Sequence, residues 1–405
     1  MLKTYKYRLY PTRKQKEKLD WTLNICCILY NSALVDRKNH YERDKRSLSY
    51  GKQAGILKHD KSIILYLKDI HSQVLQDVLI RVEKAYKAFY RRLKEKNGKA
   101  GYPRFKNMGR YNSITYTQSG FGIDAHGKLT LSKIGHIKLK LHRNINGIIK
   151  TCSIKKEIDK WYVCFSVEYE PAAKKTVINS VLGIDVGLSS FATLSDGDPI
   201  DNPKHLRKAE LRLIKKQKRL SSKKRGSSNR NKARLSLSRA HKKVSNQRKD
   251  FQHKVSRRIV DSYDAVGAED LQIKNMVKNH CLSKSISDAG WGQFLSYIEY
   301  KAEEAGILYM RVNPRNTSQE CTCGASVPKT LEGRTHSCPS CGLIASRDYV
   351  SALVVKQRAI NKIRQELPEY TLVETGSMDD IGYGDIAALK SIPSLKQEAL
   401  QFIGE

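Results

Sequence analysis

The spacing of apolar side chains changes period several times along the chain, and each change marks an element. Residues 2–10, "LKTYKYRLY", alternate in a way that suits a short strand. Pro11 breaks that pattern, and Thr12 then caps an amphipathic helix through "RKQKEKLDWTLNICCILYNSAL". A second helix is predicted from about Ser72 to Lys96, with Val74, Leu75, Val78, Leu79, Val82, Ala85, Tyr86 and Phe89 at helical spacing. Its other face carries Arg81, Lys84, Lys87, Arg91 and Arg92. From about 111 to 170 the period falls to two, with many β-branched and aromatic residues. Several short strands there predict a small barrel or sandwich, with 12–105 inserted after its first strand.

A different unit opens at "SVLGIDVGLSSFATLSDGD", residues 180–198, where an apolar strand reaches Asp185 before Gly187 and a second strand. Between Pro203 and Asp250 lie nineteen Lys and Arg against two acids, yet leucines and alanines keep helical spacing on both sides of "GSSN". A basic helical hairpin over 204–250 accounts for both features. "SYDAVGAEDL" reads as a buried strand ending in Glu269, residues 291–306 as an amphipathic helix, and "ILYMRVNP" as another strand. A last helix starts near Asp348, and the final thirty or so residues carry no pattern.

Composition narrows the partners. Seventy-five Lys and Arg against forty Asp and Glu give a formal charge of +35, with 40% hydrophobic residues over 405 positions. Such a chain folds, and its excess charge calls for a polyanion, nucleic acid above all. A ribosomal or DNA-coating protein is the plain alternative. No apolar run approaches the ~20 residues that span a bilayer, and the basic N-terminus lacks a signal peptide's apolar segment. An intracellular setting follows as an expectation, with disulfides rare there. Cys26, Cys27, Cys152, Cys164 and Cys281 are scattered and read as ordinary buried thiols.

Two sets of residues carry chemistry. Asp185, Glu269 and Asp348 fall at the ends of predicted strands and at a helix start. Adjacent strands lie ~4.8 Å apart, so the three acids can converge, and they would repel unless a cation neutralised them. Oxygen ligands favour Mg²⁺ or Mn²⁺, which can activate water for phosphodiester cleavage. Singly, each acid has an ordinary reading: a turn former in "IDVG", a solvated strand end in "AEDL", a helix-dipole partner at Asp348. The second set is Cys321, Cys323, Cys338 and Cys341, two close pairs separated by fourteen residues. They suit a structural zinc ribbon, although the first pair is C-x-C, one residue shorter than usual. The ribbon ends seven residues before Asp348 and would fix where that helix begins.

In this order the motifs "KTYKYRLYPTRKQ", "GYPRFK", "GIDVGL", "AEDL" and "NTSQECTCG…CPSCGLIASRDYVSA" resemble the TnpB family, insertion-sequence-encoded RNA-guided nucleases related to type V CRISPR effectors. The resemblance implies an α/β plus β-barrel architecture. A wedge-like β-barrel (1–11 and 108–175) would carry a helical recognition insertion (12–107). A RuvC-like nuclease of RNase H fold (176–203, 251–313 and 343–370) would be interrupted by the basic hairpin (204–250) and the zinc ribbon (314–342). A tail (371–405) would follow. Asp185, Glu269 and Asp348 fall on the family's three catalytic acids. Ser346 and Ser351 depart from it, which more often has an acid and an Asn there.

The resemblance also implies partners: a guide RNA, a double-stranded DNA target with a short flanking motif, and one protein per RNA in a prokaryotic cytoplasm. Ser72, Gln73 and Gln76 are expected toward that motif. Arg104, Lys106, Lys215, Lys216, Lys223, Lys224, Arg225, Lys242, Lys243 and Arg347 are expected on nucleic acid, with Lys329 and Arg334 as further ribbon contacts. Two other activities compete with guided cleavage, a true transposase and an RNA-guided repressor that binds without cutting.

Overall fold

The alternating N-terminal segment folds as β1 (Leu2–Tyr10), with Tyr5, Tyr7 and Leu9 buried on one side. Thr12 then caps α1 (Arg13–Asp44) in a full capping box with Gln15. The computed structural model describes residues 1–95, 100–329 and 333–373. It divides into two units, Met1–Glu170 and Pro171 onward.

In the first unit, α1 is followed by α2 (Tyr50–Ile63), α3 (Leu65–Lys68) and α4 (Ser72–Glu95). The sequence signalled α1 and α4 but not α2. Only Gln53 and Leu57 of α2 are buried, so it shows almost no apolar stripe. The expected end of α4 at Lys96 lies outside the described residues. The chain returns through β2 (Ser113–Tyr116), β3 (Phe121–Ile123), β4 (Leu129–Leu131), β5 (Gly135–Lys140), β6 (Ile148–Glu157) and β7 (Lys160–Glu168). With β1 these form one sheet in the order β2-β6-β7-β1-β5-β4-β3. The expected barrel or sandwich is one sheet whose end strands, β2 and β3, do not pair with each other, a half-barrel. The first strand in the chain is the middle strand of the sheet, pairing antiparallel with both β7 and β5. Cys26, Cys27 and Cys152 are buried in the core of this unit, as ordinary thiols should be. Cys164 is half-buried, and Cys281, in the second unit, is exposed, against expectation.

The second unit begins with β8 (Val177–Ile178), β9 (Val181–Val186), β10 (Ser190–Leu194) and β11 (Pro199–Asp201). The basic stretch is a helical hairpin, α5 (His205–Ser221) and α6 (Ser228–Ser262), zipped by Leu213, Leu237, Ala240 and Val244. Its second helix runs on past the expected end at 250, because Gln252, Ser256, Ile259 and Val260 continue its buried face. Then come β12 (Ala265–Glu269), α7 (Ile273–Met276), α8 (Ser283–Ala289), α9 (Trp291–Ala305), β13 (Leu308–Val312), β14 (Thr335–Ser337), β15 (Ile344–Ser346), α10 (Arg347–Glu366) and β16 (Thr371–Leu372). Short β16 pairs with β8; residues 374–405 of the expected tail lie outside the described residues.

Five strands make the central sheet, in the order β11-β10-β9-β12-β13. The β9–β10 and β10–β11 pairs are antiparallel, and β9–β12 and β12–β13 are parallel. Leu182, Ile184, Val266 and Ala268 pack on one face with residues of α6 and α9. On the other face lies α10, and there the strands present glycine. A Cβ on Gly183 would stand 2.1 Å from the Ala352 carbonyl oxygen, and one on Gly267 would stand 2.6 Å from the Ala359 Cβ. The helix backbone therefore sits against the strands at a distance only glycine allows.

That contact predicts an asymmetry between glycines. Gly183→Ala should cost about 1–3 kcal/mol in chemical denaturation. Gly55→Ala, mid-α2 with nothing within 4 Å of the new methyl, should be neutral or stabilising by up to about 1 kcal/mol.

Candidate active site and cysteine cluster

Strand pairing brings the first two acids side by side. Ala268 is in register with Ile184 on neighbouring parallel strands, so one step further places Glu269 beside Asp185. Glu269 is the last residue of β12 and is buried. The third acid arrives from the helix above. Ser346 ends β15 and caps α10, its Oγ accepting from the Tyr349 N–H, so Asp348 stands in the first helical turn. Ser351, the other departure from the family pattern, is buried.

The electrostatics couple Asp185 to the other two acids. Burial pushes the Asp185 carboxyl well above the usual carboxylate range, and the charges of Glu269 and Asp348 push it further; Arg347 and the Val186 N–H pull the other way. Burial also raises Glu269, opposed by a hydrogen bond from Thr317 and by the charge of Arg358. Thr317 Oγ1 donates to Glu269 Oε1 at 2.5 Å. Asp348 lies 3.5 Å from Arg347 Nε and 3.9 Å from Arg334 Nη1. Two carboxylates near the ends of neighbouring strands and a third in a first helical turn thus put negative charge around Asp185, an arrangement that a bound cation would relieve. They stand wider than the cysteines: among the described residues only the four sulfurs gather ligand atoms all within 4.8 Å of one another.

Those sulfurs sit on two tight turns. Gly324 and Gly342 follow the second cysteine of each pair with φ of +85° and +71°, the left-handed region that glycine tolerates. Their N–H groups donate to the Cys321 and Cys338 carbonyls at 2.9 and 3.0 Å. The short C-x-C pair thus closes as the C-x-x-C pair does. Cys321 and Cys341 sulfurs are 3.6 Å apart, as are those of Cys323 and Cys338. Four thiolates held about 2.3 Å from one tetrahedral ion stand about 3.8 Å apart, so the cluster fits a structural zinc. The Cys341 and Ser340 N–H groups hold the Cys338 thiol down, at about 6, toward the thiolate that metals bind.

The expected nucleic-acid residues differ in exposure and in their bonds within the chain. Ser72, Gln76, Arg104, Lys106, Lys215, Lys224, Arg225 and Lys243 are exposed, while Lys223 and Lys242 are half-buried. Several, exposed Ser72 among them, also bond within the chain. Gln73 Oε1 accepts from the Gln118 and Ser119 N–H groups at 2.8 Å each, and Ser72 Oγ accepts from Lys61 at 2.6 Å. Lys216 donates to Ser236 across the hairpin. Lys329 bonds the Ser318 carbonyl and His336 inside the ribbon, and Arg347 Nη1 donates to the Gly333 carbonyl at 3.1 Å. Arg334 stays mostly exposed beside Asp348. Sequence reasoning missed Thr317 and Arg358, which face Glu269. The "NTS" before Cys321 belongs to the family-like motif, but nothing local shows which of its side chains turns inward.

Two outcomes follow. Asp185 in the folded chain holds its proton to higher pH than in the unfolded chain, so its ionisation lowers stability as pH rises above the ordinary carboxylate range. Asp185→Asn should therefore raise the Tm of the metal-free protein at neutral pH, on the order of 2–4 °C, with the gain shrinking toward pH 4 in differential scanning fluorimetry. Cys323→Ser should cut the zinc retained after dialysis from about one ion per chain to well below half, measured by mass spectrometry of the metal.

Three family models match the chain: "Probable transposase" over residues 164–280, "Cas12f1-like, TNB domain" over 291–355, and "Helix-turn-helix domain" over 1–46. The last span folds here as β1 and the single long α1. A Streptomyces pristinaespiralis protein, named as a candidate RNA-guided DNA endonuclease, is 33% identical over 86% of this chain and 87% of its own. Escherichia coli K12 InsQ, named likewise, is 30% identical over 80% and 83%. A mimivirus TnpB-like protein, L79, is 22% identical over 86% and 71%. With relatives at 30% identity or better matched over more than four-fifths of their length, the chain belongs to the TnpB family, matched here by the OrfB_IS605 model.

Proposed function

We propose that this protein is an RNA-guided DNA endonuclease of a transposable element, cutting with a RuvC-like site of RNase H fold. The observation that carries the reading is the convergence of three acids: strand register sets Glu269 beside Asp185, and the helix above brings Asp348 close enough for its charge to bear on Asp185. A site that costs stability when empty and ionised earns its place by binding a cation. The sheet order, with three antiparallel strands followed by two parallel ones and acids on the first and fourth strands in chain order, suits that fold. The names of the two bacterial relatives point the same way.

Asp185, Glu269 and Asp348 would hold Mg²⁺ or Mn²⁺, with Asp185, coupled to both neighbours, as the common ligand. Ions bound there activate a water and stabilise the leaving oxygen of a phosphodiester. Arg347 and Arg334 balance the charge of Asp348 and lie where a scissile phosphate would approach. The expected division of labour stands as part of the same proposal: wedge 1–11 and 108–175, recognition insertion 12–107, nuclease 176–203, 251–313 and 343–370, hairpin 204–250, ribbon 314–342. Base pairing with a guide RNA would choose the target, while the protein reads the short flanking motif and the heteroduplex shape. One chain per RNA, working in a prokaryotic cytoplasm, completes the reading.

The test is plasmid cleavage by protein co-expressed with the downstream flank of its gene and purified with its RNA. In Mg²⁺, a matched target behind a randomised flank should be cut. Asp185→Ala should cut at least about 10³-fold more slowly while binding the target with unchanged affinity. Binding without cutting by the native chain would make it a repressor, and no retained RNA would remove the guided reading.

A further inference from the structure

The segment between β13 and the first cysteine pair has no regular structure, yet it is tied down at almost every residue. Arg358, on α10, donates through Nη1 to the Asn313 and Arg315 carbonyls at 2.6 and 2.9 Å, and its Nη2 pairs with the Glu320 carboxylate. From the ribbon side, the Val327 N–H donates to the Gln319 carbonyl at 2.7 Å and Lys329 to that of Ser318 at 3.1 Å. In the middle of this clamped segment sits Thr317, 4% exposed. Its hydroxyl has one proton and two acceptors within reach, the Glu269 carboxylate at 2.5 Å and the Pro314 carbonyl at 3.1 Å. The ionised carboxylate is nearer and the stronger acceptor.

We infer that Thr317 is a positioning residue: its hydroxyl fixes the Glu269 carboxylate, and Arg358 holds the segment that delivers it. Glutamate at a strand end has three rotatable side-chain bonds, and an acid that must meet a cation at one geometry gains from losing that freedom beforehand. Binding Oε1 leaves the second oxygen to the ligand. The inference rests on the nuclease reading, and it gives the ribbon a second attachment to the site. Asp348 follows the ribbon's exit by one strand, and Thr317 precedes its first cysteine by four residues. Hydrogen-bond partners of metal-binding carboxylates are worth about 10–100-fold in metal affinity or activity.

The experiment compares Thr317→Val, which keeps the shape and loses the proton, with Thr317→Ser, which keeps the hydroxyl. Both are made in the full chain, with Asp185→Ala alongside. Melting curves titrated with Mg²⁺ alone should show Thr317→Val needing about tenfold more Mg²⁺ for its half-maximal shift, and Thr317→Ser within threefold of native. With bound RNA, Thr317→Val should cut about 10–100-fold more slowly at saturating target while its target Kd stays unchanged. Native-like Mg²⁺ response and cutting in Thr317→Val would overturn the inference. So would equal impairment of Thr317→Ser, which would make the role one of packing. Cutting by Asp185→Ala would remove the three acids as the cutting site, and this inference with it. Loss of cutting there, with native-like Thr317→Val, would overturn the inference alone.

Discussion

Everything at the candidate site depends on how closely α10 can lie on the central sheet. Gly183 and Gly267 present no Cβ to it, and the helix backbone comes within a distance that would force any side chain into the Ala352 carbonyl or the Ala359 methyl. The helix begins with its cap at Ser346 and its first-turn acid at Asp348. Its depth on the sheet therefore sets how near Asp348 comes to Asp185. A methyl at either glycine would lift the helix and separate charges that β9 and β12 have brought together by pairing.

That convergence works against folding. Asp185 is held half-buried among two other acids, so its ionised form is disfavoured. Folded proteins tolerate such sites where function requires them and offset the cost elsewhere. Here the offsets are visible. Arg347, Arg334 and Arg358 place positive charge around the acids, and Thr317 satisfies one oxygen of Glu269. The cysteine cluster lies between two of the residues involved, its first sulfur four residues after Thr317 and its last seven before Asp348. A small module whose four cysteines fit a metal is well suited to this work, because a loop of that length without a staple could not fix two attachment points.

The large positive charge is distributed with similar economy. In the hairpin, apolar residues at helical spacing zip α5 to α6 while Lys215, Lys224, Arg225 and Lys243 face solvent. Several residues expected on nucleic acid also bond within the chain. Gln73 closes a turn at Gln118 and Ser119, and Lys216 and Lys329 bond within the chain. A polar side chain at a helix start looks alike in sequence whether it faces a partner or a neighbouring loop.

Local pattern determined much of this protein. Period-two segments became strands, apolar stripes became α1, α4, α9 and α10, and nineteen cations among spaced leucines became a hairpin. Each of those signals is carried by residues a few positions apart, which a chain displays whether folded or not. The cysteine spacing was legible for the same reason, because both knuckles close over four or five residues. The half-open sheet, the weakly striped α2 and the inward turns of Thr317 and Arg358 were decided only by the tertiary structure. They depend on partners tens of residues away: β1 reaches Phe165 and Leu139 across the sheet, and Thr317 reaches Glu269. The acids stand between the two cases. Their order along the chain was plain, but what makes them one site is a strand register and two missing methyl groups, and neither exists until the sheet and α10 have packed.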